Sequence, residues 1–250
     1  MVDLPRAYGV HITPTSKKVL ESADTGTDEY WALQGFTLRA ALSRVFSDGE
    51  APFSESRIEL PASIDPDERY DFLLVYAPTD RHHDRNRLMQ RGIERHFRVS
   101  LAFEQRPADV YVLSAPDGQT AAIRAAGDGL GVGFASSYVS ISEFASEVPD
   151  PPSPAGRSPA LDTWRRVTPA SSVGRIAISN GTMETFCFEL ELLLNRPVVD
   201  ETGLSGRYDI ELPEQTGKAS IATRLKDELG LRLVEARRDV RVLVVRTSGS

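Results

Sequence analysis

Asp80-Arg81-His82-His83-Asp84 is the densest grouping of chemically capable side chains in the sequence. Adjacent imidazoles on a loop bind a metal only when further ligands converge, because a zinc site takes three or four. His11 and His96 stand at no motif spacing from the pair, and Arg81, Arg85 and Arg87 would repel a cation. A solvated loop is the expected state, and no metal ligand is assigned.

The other chemical candidates reduce to packing in the same way. Cys187 lies on the apolar face of an expected helix, where a thiol packs as a small hydrophobe; a nucleophile needs a polar, exposed site with a base. Gly127, Gly129, Gly131 and Gly133 lack the Gly-Lys-Ser/Thr ending and the preceding strand of a phosphate loop, so they read as a flexible connection. Arg69-Tyr70-Asp71 and Arg207-Tyr208-Asp209 open equivalent strands. Arg and Asp two apart share a strand face, so a local ion pair with the tyrosine packed inward is the expectation. Nucleophile-elbow, HExxH and paired CxxC signatures are absent. No catalytic, cofactor-binding or metal-binding residue is assigned, and no cofactor.

Composition narrows the partners. A net charge of −7 over 250 residues disfavours a nucleic-acid grip. The basic run Arg81–Arg98 is diluted by Asp80, Asp84 and Glu94 and reads as a solvated helix face. One cysteine allows no internal disulfide. No apolar run reaches the roughly 18 residues that cross a bilayer, and residues 1–16 show no secretory h-region. The expectation is a soluble chain, cytoplasmic as written and extracytoplasmic if an export signal has been trimmed.

The elements that position these residues follow from periodicity. In the first half, strands are expected at Tyr8–Thr13, Tyr30–Phe36, Ile58–Leu60 and Tyr70–Tyr76, with Lys17–Asp28 a surface connection. Thr37 caps a helix bearing Leu38, Ala41, Leu42, Val45 and Phe46, and Asn86 opens one bearing Leu88, Met89, Ile93 and Phe97. Val99–Phe103 and Val110–Leu113 then read as a hairpin turning at Arg106-Pro107-Ala108-Asp109. Glycine and proline dominate from Ala115 to Pro169, with a short helix expected near Ser142–Glu147.

The second half repeats this order. After a strand at Arg175–Ile178, Thr182 caps a helix whose Met183, Phe186, Cys187, Leu190, Leu193 and Leu194 face inward, while Glu184, Glu189 and Glu191 face water. Pro197 ends it near Asn195. Strands follow at Val198-Val199 and Tyr208–Leu212. Ser220 caps a helix ended by Gly230, and Leu231–Val234 and Val240–Val245 turn about Arg238-Asp239.

The two halves align residue by residue. At an offset of 132, Phe97, Val99, Leu101, Arg106, Val110, Val112 and Leu113 meet Leu229, Leu231, Leu233, Arg238, Val242, Val244 and Val245. The expected architecture is α+β: two related βαββαββ units with helices packed on mainly antiparallel sheets. The units span residues 1–116 and 174–250, separated by a linker or insertion at 117–173.

Thr182–Leu212, TMETFCFELELLLNRPVVDETGLSGRYDIEL, followed by a helix and LGLRLVEARRDVRVLVV, resembles the carboxy-terminal signature of the soil-associated protein family. RYDFLLVYAP and LMQRGIERHFRVSLAFEQRPADVYVLSAP match that family's order of strand, helix and hairpin, and YGVHITPTSKK stands where its first strand belongs. The resemblance implies a domain of unknown function expanded in soil bacteria, usually exported and in some members fused behind membrane sensor-peptidases. It supplies no catalytic residues. At fold level the units are also similar to the small partner-binding domains of secretins and TonB-dependent receptors.

A duplicated frame without a catalytic motif leads to one functional expectation: a non-enzymatic binding module for an unknown protein partner, using exposed sheet edges or the cleft between units. Nucleic-acid binding and membrane insertion are not expected. The alternatives are a hydrolase or other enzyme with its site in that cleft, and a small-ligand sensor.

Overall fold

The structure, a computed structural model, describes residues 8–16, 22–47, 52–77, 84–126, 133–134, 137–140, 172–215 and 218–248. It is an α+β fold with four helices and three sheets among those residues. The chain divides into two compact units, residues 1–108 with 238–250 and residues 109–237. Most of the expected 117–173 linker, including Ser142–Glu147, lies outside the described residues.

In the first unit, β1 (Gly9–Pro14), β2 (Ala23–Gly26), β3 (Tyr30–Thr37) and β5 (Arg69–Val75) form an antiparallel sheet in the order β1-β5-β3-β2. The segment expected as a connection, Lys17–Asp28, thus supplies an edge strand. Its Asp24, Thr25 and Gly26 are exposed, so it lacks the apolar alternation that marks a strand in sequence. Helix α1 (Leu38–Val45) buries Leu38, Ala41, Leu42 and Val45, the face its spacing predicts. Helix α2 (Arg85–Phe97) sends Met89 and Ile93 into the same core, where Phe72, Leu33 and Leu74 are fully enclosed. At Gly92 it comes so close to β1 that a Cβ would lie 2.4 Å from Val10 Cβ.

In the second unit, β10 (Ser172–Gly181) is central. It pairs with β12 (Tyr208–Gln215), β8 (Gly133–Phe134) and β9 (Ser137–Ser140), and β7 (Arg124–Ala125) flanks β12. Helices α3 (Met183–Leu194) and α4 (Lys218–Leu229) complete a core holding Phe186, Leu190, Ile176, Ile210, Leu212 and Leu225. Thr182 caps α3 as expected, accepting from Thr185 N at 3.2 Å. The acidic face does not behave as expected. Glu184 is exposed, but Glu189 and Glu191 are buried, at 4% and 2% exposure. For Glu191 the reason is visible: its Oε1 accepts from Val198 N at 2.9 Å, a backbone donor that takes the place of water and anchors strand β11 (Val198–Asp200).

Neither expected carboxy-terminal hairpin forms within its own half. β6 (Val99–Ser114) and β13 (Arg232–Thr247) are each one continuous strand of 16 residues, and they are neighbours in the third sheet, β11-β6-β13-β4, where β4 is Ile58–Glu59. They run in opposite directions: Ser248 N donates to Arg98 O, and Ser114 Oγ to Arg232 O. Pro107 does not break β6. Its ring nitrogen falls on the side of the strand from which Tyr111 N reaches Pro197 O at 2.8 Å, and there β11 pairs only with Tyr111–Leu113. The missing donor therefore costs no ladder bond.

Each long strand spans the boundary between the units. The far end of β6 pairs parallel with β11 in the second unit, Val198 opposite Tyr111, and the far end of β13 pairs parallel with β4 in the first, Ile58 opposite Leu243. Leu243 and Val245 accordingly belong to the first unit's core, and Tyr111 and Leu113 to the second's.

Candidate functional site

The Arg-Tyr-Asp motifs occupy matching positions. Gly35 takes φ 70° at a register shift in the β3–β5 ladder, and Asn180 takes φ 53° at one in the β10–β12 ladder. Asp71 Oδ1 accepts from Gly35 N at 2.8 Å, and Arg69 donates to Gly35 O at 2.6 Å. In the second unit, Asp209 Oδ1 accepts from Asn180 N at 2.8 Å, and Arg207 donates to Asn180 O at 2.6 Å. The expected ion pair is replaced by a clamp on one backbone unit, because a bulge frees an N–H and a C=O that need partners. Tyr70 and Tyr208 pack inward at 8% and 5% exposure, as expected. Burial first, and then the hydrogen bond and charge of Glu68, push the Tyr70 hydroxyl up to about 12. These motifs hold β5 to β3 and β12 to β10 at the two bulges.

A second polar cluster lies beside α1. Phe53 N donates to Ser43 O at 3.1 Å, and the Ser54 and Ser56 hydroxyls meet at 2.9 Å, which seats the 3-10 turn Glu55–Arg57 against the helix. The Glu55 carboxyl is pushed up from its ordinary range: burial outweighs the opposing charges of Arg39, Arg44 and Arg69. Arg44 has Asp24 at 4.0 Å, and Arg69 serves Gly35. Arg39 Nε is buried, and no acceptor reaches it among the described residues. A carboxyl raised by burial among arginines, one of them with an Nε that no acceptor reaches among the described residues, makes this cluster a candidate site. No sequence signal points to it, since its members come from α1, a turn and β5, with no shared motif.

Two other features are structural. Glu104 lies between Arg106 (2.8 Å) and Arg246, and Arg106 also reaches Glu59. The hydrogen bond from Arg106 holds the Glu104 carboxyl below its ordinary range. Such exposed networks contribute little. Asp24 accepts from Trp31 Nε1 at 2.9 Å, and Arg85 stacks over Trp31 at 5.0 Å.

Of the sequence candidates, Asp80, Arg81, His82 and His83 lie outside the described residues, as do Gly127, Gly129 and Gly131. Cys187 is buried. His11 belongs to β1 and His96 to α2, where His96 stands edge-on to Phe97 at 4.8 Å. Among the described residues no three His, Cys, Asp or Glu side chains converge as metal ligands, and no helix is long and apolar enough to cross a membrane.

No curated protein matches the chain, and no solved structure does. A family model matches residues 53–247, which include α1's neighbouring turn, both long strands and both Arg-Tyr-Asp motifs. The chain belongs to the family described as protein of unknown function (DUF3738).

Proposed function

We propose that the chain is a non-enzymatic binding module that takes an extended segment of a partner protein onto the free edge of β2. The observation that carries this reading is the exposed outer side of that strand. Among the described residues β2 pairs only with β3 in its sheet, and three of its four residues are exposed. Thr27 N donates to Tyr30 O at 2.8 Å, so by antiparallel alternation Asp24 and Gly26 turn their N–H and C=O groups outward. An added strand would satisfy them. Gly26→Pro removes one outward donor, whereas Gly26→Ala keeps it, with a Cβ in ordinary contact at 3.4 Å. Panning random displayed decapeptides against the chain should enrich binders that Gly26→Ala retains and Gly26→Pro loses. Enriched peptides indifferent to Gly26→Pro, or no enrichment, would refute the edge.

We also infer that the units descend from one duplicated unit. The matching clamps, threonine caps and parallel strand-end pairings support this. Asp71→Ala and Asp209→Ala should then destabilise alike, each by about 1–3 kcal/mol for a bulge amide left unsatisfied. Chemical denaturation that finds one clamp dispensable would separate the halves. The likeness to soil-associated proteins, and the extracytoplasmic role it implies, belong to the same proposal.

A further inference from the structure

Helix α2 carries an unpaired row of positive charge. Arg87, Arg91 and Arg95 stand four residues apart, within about 80° of the helix circumference, so one outer face presents all three. All are exposed, and no hydrogen bond or ion pair engages their side chains among the described residues. Elsewhere Arg44, Arg106, Arg196, Arg224 and Arg246 lie against carboxylates. The acids that dilute this run in sequence leave the row unpaired. Glu94 flanks it with Oε1 accepting from Leu101 N at 3.3 Å, and Asp84 stands at its amino end. Beside Arg87 and Arg91 the surface sinks into a cleft of about 170 Å³, walled also by Leu88 and Asp84.

We propose that this face takes an acidic segment of a partner protein, with one carboxylate seated in the cleft. The arginines recur about every 6 Å along the helix axis. Alternate residues of an extended chain lie roughly 6.6 Å apart, so a Glu-x-Glu-x-Glu pattern meets the row in step. Each guanidinium offers a carboxylate a planar fork, and Leu88 gives the glutamate methylenes an apolar wall. Asp84, on the same wall, opposes the incoming charge. A bilayer or a nucleic acid broad enough to meet the rest of the molecule also meets its net charge of −7, whereas a slender segment meets only the row. Helix α2 packs on β1, at the opposite edge of the sheet from β2, so this face stands or falls without the edge-binding reading.

The test uses the full chain and a fluorescein-labelled decapeptide of alternating glutamate and serine, followed by anisotropy at pH 7 and low salt. A glutamine-serine decapeptide, a ten-residue oligothymidylate and phosphatidylserine vesicles are the comparison probes. The acidic peptide should bind and the neutral one should not. Arg87→Glu with Arg91→Glu should weaken binding more than about tenfold, whereas Lys226→Glu with Arg232→Glu, an equal change of net charge elsewhere, should leave it within about threefold. Asp84→Asn should tighten it. Arg87→Gln with Arg91→Gln decides the outcome if the glutamate pair does not fold. No binding of the acidic peptide, or an equal loss in the Lys226 and Arg232 control, overturns the proposal. So does capture of the oligonucleotide or the vesicles through the same arginines without capture of the peptide.

Discussion

Glu55 is the residue at which charge and burial oppose each other most directly. Its carboxyl sits above its ordinary range, so the folded state favours the neutral form. A carboxyl raised on folding contributes fully below its unfolded value, near 4.5, and that contribution is lost as pH rises through the folded value. Glu55→Gln abolishes the ionisation. The variant should therefore match the parent in urea melts at pH 4 and exceed it at pH 7, and a gap that does not change with pH would refute the assignment. Residues 53–56 read simply as Phe-Ser-Glu-Ser, with no periodicity and no motif, so nothing local announces Glu55. Its shift comes from burial, which Arg39, 16 residues earlier, and Arg69, 14 residues later, oppose. The Arg-Tyr-Asp motifs were legible because they recur, although their partner was not. A strand pattern shows which side chains share a face, but not that a bulge will bring a backbone N–H and C=O within their reach.

At the scale of elements, helix ends carry most of what local chemistry determines. Thr37 and Thr182 cap α1 and α3 through Ala40 N and Thr185 N. Gly230 ends α4 at φ 68°, with its N–H on Lys226 O. The equivalent residue after α2 is Arg98, held at φ 52°. A side chain in that region is strained where glycine is not. Arg98→Gly should raise stability by about 1 kcal/mol in thermal melts. Gly230→Ala should lower it by more than the mirror-image amount, because a Cβ there would also lie 2.4 Å from Thr120 Cγ2. Caps, apolar helix faces and most strands were readable because each depends on neighbours within a turn or two. The two hairpins were misread for the converse reason. Pro107-Ala108 and Arg238-Asp239 carry turn-forming residues, and only a neighbouring strand from the other half of the chain keeps them extended.

For the whole molecule, the exchange of strand ends makes sequence neighbours structural strangers. Leu243 follows α4 and the start of β13, which belong to the second unit, yet it is fully buried in the first unit's core and pairs with Ile58. Removing its side chain leaves a cavity there, a loss of about 2–5 kcal/mol for a leucine cut back to alanine. In Leu243→Ala, hydrogen exchange should quicken first in β3 and β5, more than 160 residues away in sequence. The amides of α4 and β12, far closer along the chain, should keep their protection. Tyr111→Ala is the reciprocal case: it follows β6 out of the first unit, so its loss should loosen β10 and β12 and spare α2. If each substitution instead loosens the unit that precedes it in sequence, the strand ends do not cross, and the parallel pairings of β4 and β11 are wrong with them.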